Sequence, residues 1–348
     1  MIGNNSLSTI VSNPYRLLGT YRALLALLVL ISHTNMWLPD WVGPLALGNV
    51  GVLSFFVLSG FVIAEACDVF YPGKPQRFLL NRFLRIYPTY WVTCGIAIAI
   101  YVWIPHPEFN ANTGAIFANL TIILAERLPS NELRLLSLIW AVGIELRFYV
   151  LAALVDYADR FLNRQGILKP GTFMFLAGLT FLVLYFFAWT TGFNRFSVMK
   201  FAPFFVLGFA YYRLLRYRSK GSQLLVLFAL LAAAHSYIEY NSAGANTLVA
   251  SSTLIFAIGL VLFGGLACVT KVPKIIEKID KRLGDLTYSI YLVHWPIVYA
   301  VTESDLLGYE AFATTVICTI LISLLIFMVV ERPLFVLRDS IRRIRLYS

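Results

Sequence analysis

The sequence predicts an all-α protein, a polytopic membrane helix bundle of about ten transmembrane helices, with the N-terminus and the C-terminus both inside. Its composition is 59% hydrophobic and only 13% charged, about half the charged fraction of a soluble domain. Its mean hydropathy is +0.76. Apolar runs long enough to span a bilayer, about 17–25 residues each, recur along the chain. They place the spans at 18–38, 45–67, 86–105, 134–155, 173–190, 199–214, 222–240, 246–269, 286–303 and 311–331.

The remaining segments leave no room for a separate soluble domain. The apolar stretch 114–125 is too short to span and is expected to lie in the interface or to pack as a partial helix. Residues 1–348 are therefore treated as one membrane-embedded domain, with a polar N-terminal segment at 1–15 and a basic cytoplasmic tail at 334–348. Any chemistry is expected to occur within the bundle.

Basic residues indicate the orientation of the bundle. With the N-terminus in the cytoplasm, 23 of the 28 lysines and arginines fall on the cytoplasmic side, which is the asymmetry that fixes membrane topology. The net charge of +10 follows from this asymmetry, so no nucleic-acid partner is expected. Within the basic tail, Arg338–Tyr347 (RDSIRRIRLY) is expected to form a short basic helix against the anionic lipids of the inner leaflet.

Two ionisable residues lie in the first span. Arg22 and His33 are eleven residues apart, close to three helical turns, so both side chains lie on nearly one face and roughly 16 Å apart along the axis. An unpaired charge in hydrocarbon costs at least a few kcal/mol. Such groups mainly line polar cavities, and a titratable imidazole at this depth predicts proton chemistry inside the membrane.

A carboxylate, Glu145, lies in the fourth span and has two interpretations. The first is a structural ion pair with Arg147 or Arg134. The second is a catalytic partner that orients or charges His33 across the bundle, because a carboxylate bonded to one imidazole nitrogen fixes the tautomer and makes the other nitrogen a better base. Both interpretations remain open at this point.

Further polar or aromatic side chains are candidates for lining the acceptor site or the cavity around it. His294 precedes Trp-Pro in the ninth span, so it either caps and kinks that helix or belongs to the cavity. None of the four histidines has the i, i+4 partner of a helical zinc site, and no metal is expected. The candidates for the lining are Trp140, Tyr149, Tyr288, Ser289 and His294.

Two short motifs have both a structural and a functional interpretation. Ser59-Gly60 interrupts a run of bulky residues, where small side chains let helices approach closely or leave a gap for a ligand chain. Arg82 and Arg85 are three residues apart at a predicted helix start on the cytoplasmic side. They are either ordinary topology determinants or a clamp that binds phosphate through paired guanidinium groups. Their spacing does not separate these alternatives.

Together these segments resemble the acyltransferase 3 family of membrane proteins. They occur in the family's order and cover nearly the whole chain. The family usually has Ser-Leu after the matching tryptophan, whereas this chain has Ala141-Val142. The matching elements are Arg22 with His33 (RALLALLVLISH), 55–61 (FFVLSGF), 82–88 (RFLRIYP), Trp140 with Glu145 and Phe148-Tyr149, 288–294 (YSIYLVH), and Glu331-Arg332-Pro333.

The resemblance implies an integral-membrane O-acyltransferase that moves an acyl group, most often acetyl, from cytoplasmic acyl-CoA to a sugar hydroxyl at the outer face. It implies that His33 is the catalytic base and that Arg22 belongs to the acyl-donor channel. Arg82 and Arg85 would contact the CoA phosphates, which favours the clamp interpretation, and the pantetheine arm would pass Ser59 and Gly60. Acetyl-CoA is then a co-substrate, and no permanently bound cofactor is expected.

The expected partners are acyl-CoA, membrane lipid and a glycan acceptor: a surface polysaccharide, a lipopolysaccharide or a lipid-linked precursor. The expected location is the bacterial inner membrane, with multiple passes. The alternative is a transporter of a lipid-linked glycan or an anion, with His33 and Glu145 as a proton relay. Such transporters often contain repeats and discontinuous helices, and no clear repeat is found in this sequence.

Overall fold

The computed structural model describes residues 17–104, 113–125, 128, 134–192, 198–242 and 248–343. Within these residues the chain is helical and has no strand, which confirms the all-α prediction. The polar N-terminal segment at 1–15 and the last five residues of the basic tail lie outside the described residues.

The described residues form thirteen α-helices. The chain also has short turns of 3-10 helix at Asn35–Trp37 and Gly43–Leu45, and π-helical turns at Ala66–Phe70 and Phe327–Glu331. The helices are α1 (Leu18–His33), α2 (Leu47–Glu65), α3 (Pro75–Trp103), α4 (Thr113–Leu120), α5 (Ile122–Ala125), α6 (Ile139–Arg164), α7 (Thr172–Thr190), α8 (Val198–Tyr217), α9 (Lys220–Ser242), α10 (Val249–Cys268), α11 (Lys274–Thr302), α12 (Gly308–Ile326) and α13 (Arg332–Arg343).

Each predicted span overlaps one helix of at least 16 residues, and the stretch at 114–125 forms the two short helices α4 and α5. Among the described residues, seven helices are long and apolar enough to cross a membrane. Helix α1 is apolar but only 16 residues long, and α6 and α11 are less apolar. The chain is thus a multi-pass helical membrane protein. The total of ten spans and the inside position of both termini stay predictions.

Several helices are longer than the apolar runs from which they were predicted. Helix α3 begins at Pro75, well before the predicted start at 86, and proline suits the first helical turn. Arg82 and Arg85 therefore lie inside a helix rather than at its start. Helix α11 likewise begins at Lys274 rather than near 286. Hydropathy detects only the apolar part of a helix, whereas hydrogen bonding continues through the charged turns.

Helices α2 and α8 touch backbone to backbone. A Cβ atom added at Gly60 would lie 2.1 Å from the carbonyl oxygen of Phe205, and one added at Gly208 would lie 1.8 Å from the carbonyl oxygen of Val57. Small residues at such crossings allow the close packing by which membrane helices associate. The helix-packing interpretation of Gly60 therefore holds.

Substitution of Gly60 by alanine is expected to lower the melting temperature of the protein in detergent. The new methyl group meets main-chain atoms of Phe205, which cannot rotate away. Overpacking of this kind costs about 1–3 kcal/mol. The control is Gly265→Ala on α10, because a Cβ atom at Gly265 has nothing within 4 Å. Equal melting temperatures for the two variants would contradict this packing.

Helices α1 and α11 run parallel and cross closely near their N-terminal ends. The main-chain N–H of Gly19 donates to the carboxylate of Asp280 at 3.2 Å. A Cβ atom at Gly19 would lie 2.0 Å from the carbonyl oxygen of Asp280, and one at Gly284 would lie 2.8 Å from the Cα of Gly19. His33 lies fourteen residues after Gly19 on α1, and His294 lies fourteen residues after Asp280 on α11. With a rise of about 1.5 Å per residue, both histidines reach the same height, roughly 21 Å from the crossing.

Candidate active site

A polar cavity inside the bundle, here called the first cavity, contains most of the predicted site residues. It lies between α1, α2, α3, α6 and α11 and has an empty volume of about 800 Å³, its open mouth included. Seven of the twelve predicted residues line it: Arg22, Ser59, Arg82, Arg85, Glu145, Tyr149 and Tyr288. Residues from distant parts of the sequence therefore meet at one site.

Three arginines line the first cavity. Arg82 is only 7% exposed, and its guanidinium carbon lies 5.1 Å from the ring centroid of Phe78 and 5.3 Å from that of Tyr149. The Nε atom of Arg82 is buried and has no hydrogen-bond partner among the described residues. Arg22 and Arg85 line the same space. Buried donors in proteins are nearly always paired, so this cluster has the chemistry of an anion site.

Glu145 is held by two hydroxyl groups. The Ser59 hydroxyl donates to Oε1 of Glu145 at 2.6 Å, and the Tyr149 hydroxyl donates to the same oxygen at 2.5 Å. Tyr149 lies one turn further along α6, where an i, i+4 side chain is a neighbour. The expectation that Glu145 orients His33 is therefore corrected, because the hydrogen bonds of this carboxylate come from α2 and α6.

His33 pairs instead with His294. Nδ1 of His33 lies 3.0 Å from Nε2 of His294, and the ring centroids are 5.2 Å apart with an interplanar angle of 20°. The ring of Trp295 lies edge-on to His33, with centroids 5.3 Å apart. His294 is completely buried, whereas His33 is half-buried. His294 lies inside α11, so it does not cap a helix, and it does not line the first cavity; it contacts His33 instead.

The hydrogen bonds fix which nitrogen of each neutral ring carries a proton. Nδ1 of His294 lies 3.1 Å from the carbonyl oxygen of Ile290, and a carbonyl only accepts, so this nitrogen is the donor. Nε2 of His294 then accepts the proton of Nδ1 of His33. Among the described residues Nε2 of His33 has no hydrogen-bond partner. His294 thus orients His33 so that Nε2 is the basic nitrogen.

Tyr291 separates the first cavity from the histidine pair. Its side chain lines the cavity beside Phe55, with ring centroids 6.3 Å apart, and its ring centroid lies 6.1 Å from that of His294. The Tyr291 hydroxyl donates to the carbonyl oxygen of Leu138 at 3.0 Å. His33 does not line this cavity. Tyr291 therefore lies between the first cavity and His294, the residue that contacts His33.

Besides His33 and His294, three predicted residues do not line the first cavity. Gly60 borders a neighbouring apolar cavity of about 750 Å³. Ser289 is completely buried, and its hydroxyl donates at 3.0 Å to a main-chain carbonyl of its own helix. Trp140 packs against the rings of Phe56 and Phe201. Helix geometry explains these positions, because neighbours in sequence face different sides of a helix.

The sequence did not indicate that Tyr291 lines the first cavity. It also did not indicate that Arg338 lines a cavity inside the bundle, because the basic tail was expected to lie on the lipid surface. Asn81 on α3 donates to the main-chain carbonyl of Arg338 at 3.1 Å, and the Arg342 guanidinium lies over the ring of Phe70. The available signal was the amphipathic spacing of α13. The residues of α13 on its less exposed face are Leu334, Phe335, Arg338 and Ile341.

Comparison with known proteins shows to which family of enzymes the chain belongs. Residues 19–332 match the family model described as an acyltransferase domain, so the protein is a multi-pass membrane enzyme that transfers acyl groups. The chain belongs to the acyltransferase 3 family. The family resemblance predicted from the six sequence segments is thereby confirmed.

Two curated proteins are similar over most of the chain. The exopolysaccharide production protein ExoZ of Rhizobium meliloti (strain 1021) is 26% identical over 300 residues, which cover 83% of this chain and 90% of that protein. The putative acetyltransferase ORF330 of Acidianus two-tailed virus is 22% identical over 262 residues, which cover 71% of this chain and 72% of that protein. No solved structure gives a significant match.

Proposed function

We propose that the protein transfers an acyl group, most simply acetyl, from cytoplasmic acyl-CoA to a sugar hydroxyl at the outer face of a bacterial inner membrane. The acceptor is an exopolysaccharide or a related surface glycan, or its lipid-linked precursor. The name of the exopolysaccharide production protein ExoZ, which is similar over 83% of this chain, supports that acceptor class. The observation that carries the proposal is an arginine-lined cavity whose wall residue Tyr291 contacts His294, the residue that orients the imidazole of His33.

The donor binds in the first cavity. Arg82 and Arg85 bind the phosphates, and the buried Nε of Arg82 gains a partner when an anion is present. The pantetheine arm extends between α2, α6 and α11, past the wall that Glu145 forms with Ser59 and Tyr149. The bulky anionic part of the donor thus never crosses the bilayer, and only the thioester passes Tyr291.

The chemical step is a general base reaction at His33. Nε2 of His33 takes the proton of the acceptor hydroxyl while the sugar oxygen attacks the thioester carbonyl. The carbon–sulfur bond then breaks, and the His33 imidazolium returns its proton to the departing thiolate. His294 keeps Nδ1 of His33 protonated throughout, so it acts as a positioning residue. A covalent acyl-histidine is the variant of this mechanism.

The contacts of the two predicted relay residues weigh against a transporter. His33 is bonded to His294, whereas Glu145 is bonded to Ser59 and Tyr149. A proton relay requires continuous hydrogen-bond contact between its members. Membership of an acyltransferase family points the same way.

Acetyl-CoA is expected to raise the melting temperature of the detergent-solubilised protein. A ligand at 100 times its Kd adds about 2.7 kcal/mol of stability. The double variant Arg82→Ala, Arg85→Ala should lose this shift because both groups line the donor cavity. Lys278→Ala is the control, since Lys278 is exposed and lines neither the first cavity nor its neighbours. An unchanged shift in the double variant would overturn donor binding at this cavity, and no shift in the wild type would favour a transporter.

A further inference from the structure

A second polar cavity lies beside the first, between α1, α3, α11 and α13. Its empty volume is about 490 Å³. The two cavities share Arg22, Arg85 and Tyr288, so they lie on opposite sides of one wall. Arg82 lines only the first cavity, whereas Arg338 lines only the second. Each cavity thus has one arginine of its own and two that it shares.

The second cavity carries an excess of positive charge. Three guanidinium groups line it, from Arg22, Arg85 and Arg338, against the two carboxylates of Asp285 and Glu331. One oxygen of Glu331 already accepts a hydrogen bond from the hydroxyl group of a neighbouring threonine at 3.0 Å. The cavity is therefore suited to an anion rather than to a cation.

Each cavity contains one buried guanidinium nitrogen that lacks a partner. The Nε atoms of Arg82 and Arg338 are both buried and have no hydrogen-bond partner among the described residues. A buried donor left unpaired costs about 1–3 kcal/mol. A ligand with one anionic group in each cavity would supply acceptors beside both arginines.

Helix α13 holds Arg338 in place. It follows α12 through the π-helical turn Phe327–Glu331, a feature that often occurs at functional sites. The Asn81 side chain donates to the carbonyl oxygen of Arg338 at 3.1 Å, and Ile341 packs against the hydrophobic core. Arg338 is thus positioned by the fold, unlike a cation on a tail that only touches lipid.

We infer that Arg338 forms a second phosphate subsite, which binds the 3′-phosphate of the CoA ribose while the diphosphate of the same donor occupies the first cavity. This inference rests on the proposed function, since it assumes that the donor is an acyl-CoA. A CoA donor carries these two anionic groups on opposite sides of one ribose. The phosphate monoester has a charge of about −1.5 to −2 and three acceptor oxygens, which match the guanidinium excess. Arg338 therefore selects donors that carry the 3′-phosphate.

The test compares acetyl-CoA with acetyl-dephospho-CoA, which lacks only the 3′-phosphate, by calorimetric titration of the purified full-length protein. The wild type is expected to bind acetyl-CoA at least about tenfold more tightly, since a hydrogen bond to a charged group contributes about 1.5–3 kcal/mol. Arg338→Gln should weaken acetyl-CoA binding by a similar factor and leave the affinity for the dephospho compound unchanged. Arg282→Gln, an exposed arginine on α11, is the matched control and should behave as wild type.

The outcomes separate the inference from the proposed function. Binding of neither compound to the wild type would overturn the proposed function itself. Equal affinity of the wild type for the two compounds would overturn only the 3′-phosphate subsite at Arg338. This comparison uses the wild-type protein alone, so a folding defect of a variant cannot affect it. Equal loss of both affinities in Arg338→Gln would also overturn the inference, because it shows a purely structural role for Arg338.

Discussion

Replacement of His33 by alanine is expected to abolish acyl transfer in membranes while the protein is still produced and inserted. The base nitrogen Nε2 disappears, and general base catalysis contributes about 10²–10⁴-fold to rate. The measurement is incubation of membranes with labelled acetyl-CoA, followed by mass analysis of the surface glycans. Transfer should fall to the level of membranes that lack the protein.

Donor binding is the internal control for this variant. His33 does not line the first cavity, so the stabilisation by acetyl-CoA should persist in His33→Ala. Loss of both transfer and stabilisation would indicate a damaged fold. Full transfer by His33→Ala would exclude His33 as the base.

Substitution of His294 is expected to produce the second largest loss, through His33. His294→Phe keeps a ring in this fully buried position but removes the acceptor of the Nδ1 proton, so His33 loses its orientation. The rate should fall by about 10²-fold or more, the lower range for general base catalysis. His294→Gln retains an amide that can accept this hydrogen bond, and it should recover part of the rate.

The pH profile distinguishes orientation from simple packing. A changed proton affinity of His33 moves the midpoint of the acidic limb of kcat, whereas a packing defect lowers the rate equally at every pH. The midpoint of His294→Phe should therefore differ from the wild-type midpoint, and that of His294→Gln should lie closer to it. Equal rates and profiles for the two variants would contradict the positioning role.

Much of the lining of the first cavity was predictable because charged residues are rare in apolar segments. Four charged residues were predicted as site residues for that reason, and the structure brings all four to one cavity: Arg22, Arg82, Arg85 and Glu145. The resemblance to the acyltransferase 3 family implied the roles of the three arginines in binding acyl-CoA. The catalytic role of His33 remains a prediction, whereas Glu145 is hydrogen-bonded to Ser59 and Tyr149 and not to His33.

Pairing between distant helices was not predictable from the same patterns. The residues His33 and His294 are 261 positions apart, and nothing in either span indicates which other span it contacts. The ends of the helices were misplaced since hydropathy ends where the charged turns begin. Arg338 was missed because a basic segment after the last span has the composition of a lipid-binding tail.

The crossing of α1 and α11 at Gly19 and Gly284 imposes a mechanical condition on the enzyme. The two imidazoles stand roughly 21 Å beyond this pivot, where a relative tilt of about 5° displaces one ring by roughly 2 Å. Such a displacement breaks their 3.0 Å hydrogen bond. Helices α1 and α11 must therefore keep their relative orientation while His294 orients His33. If the donor is an acyl-CoA, as proposed, we expect any movement that admits it to occur in α2 and α6, which line the other side of the first cavity.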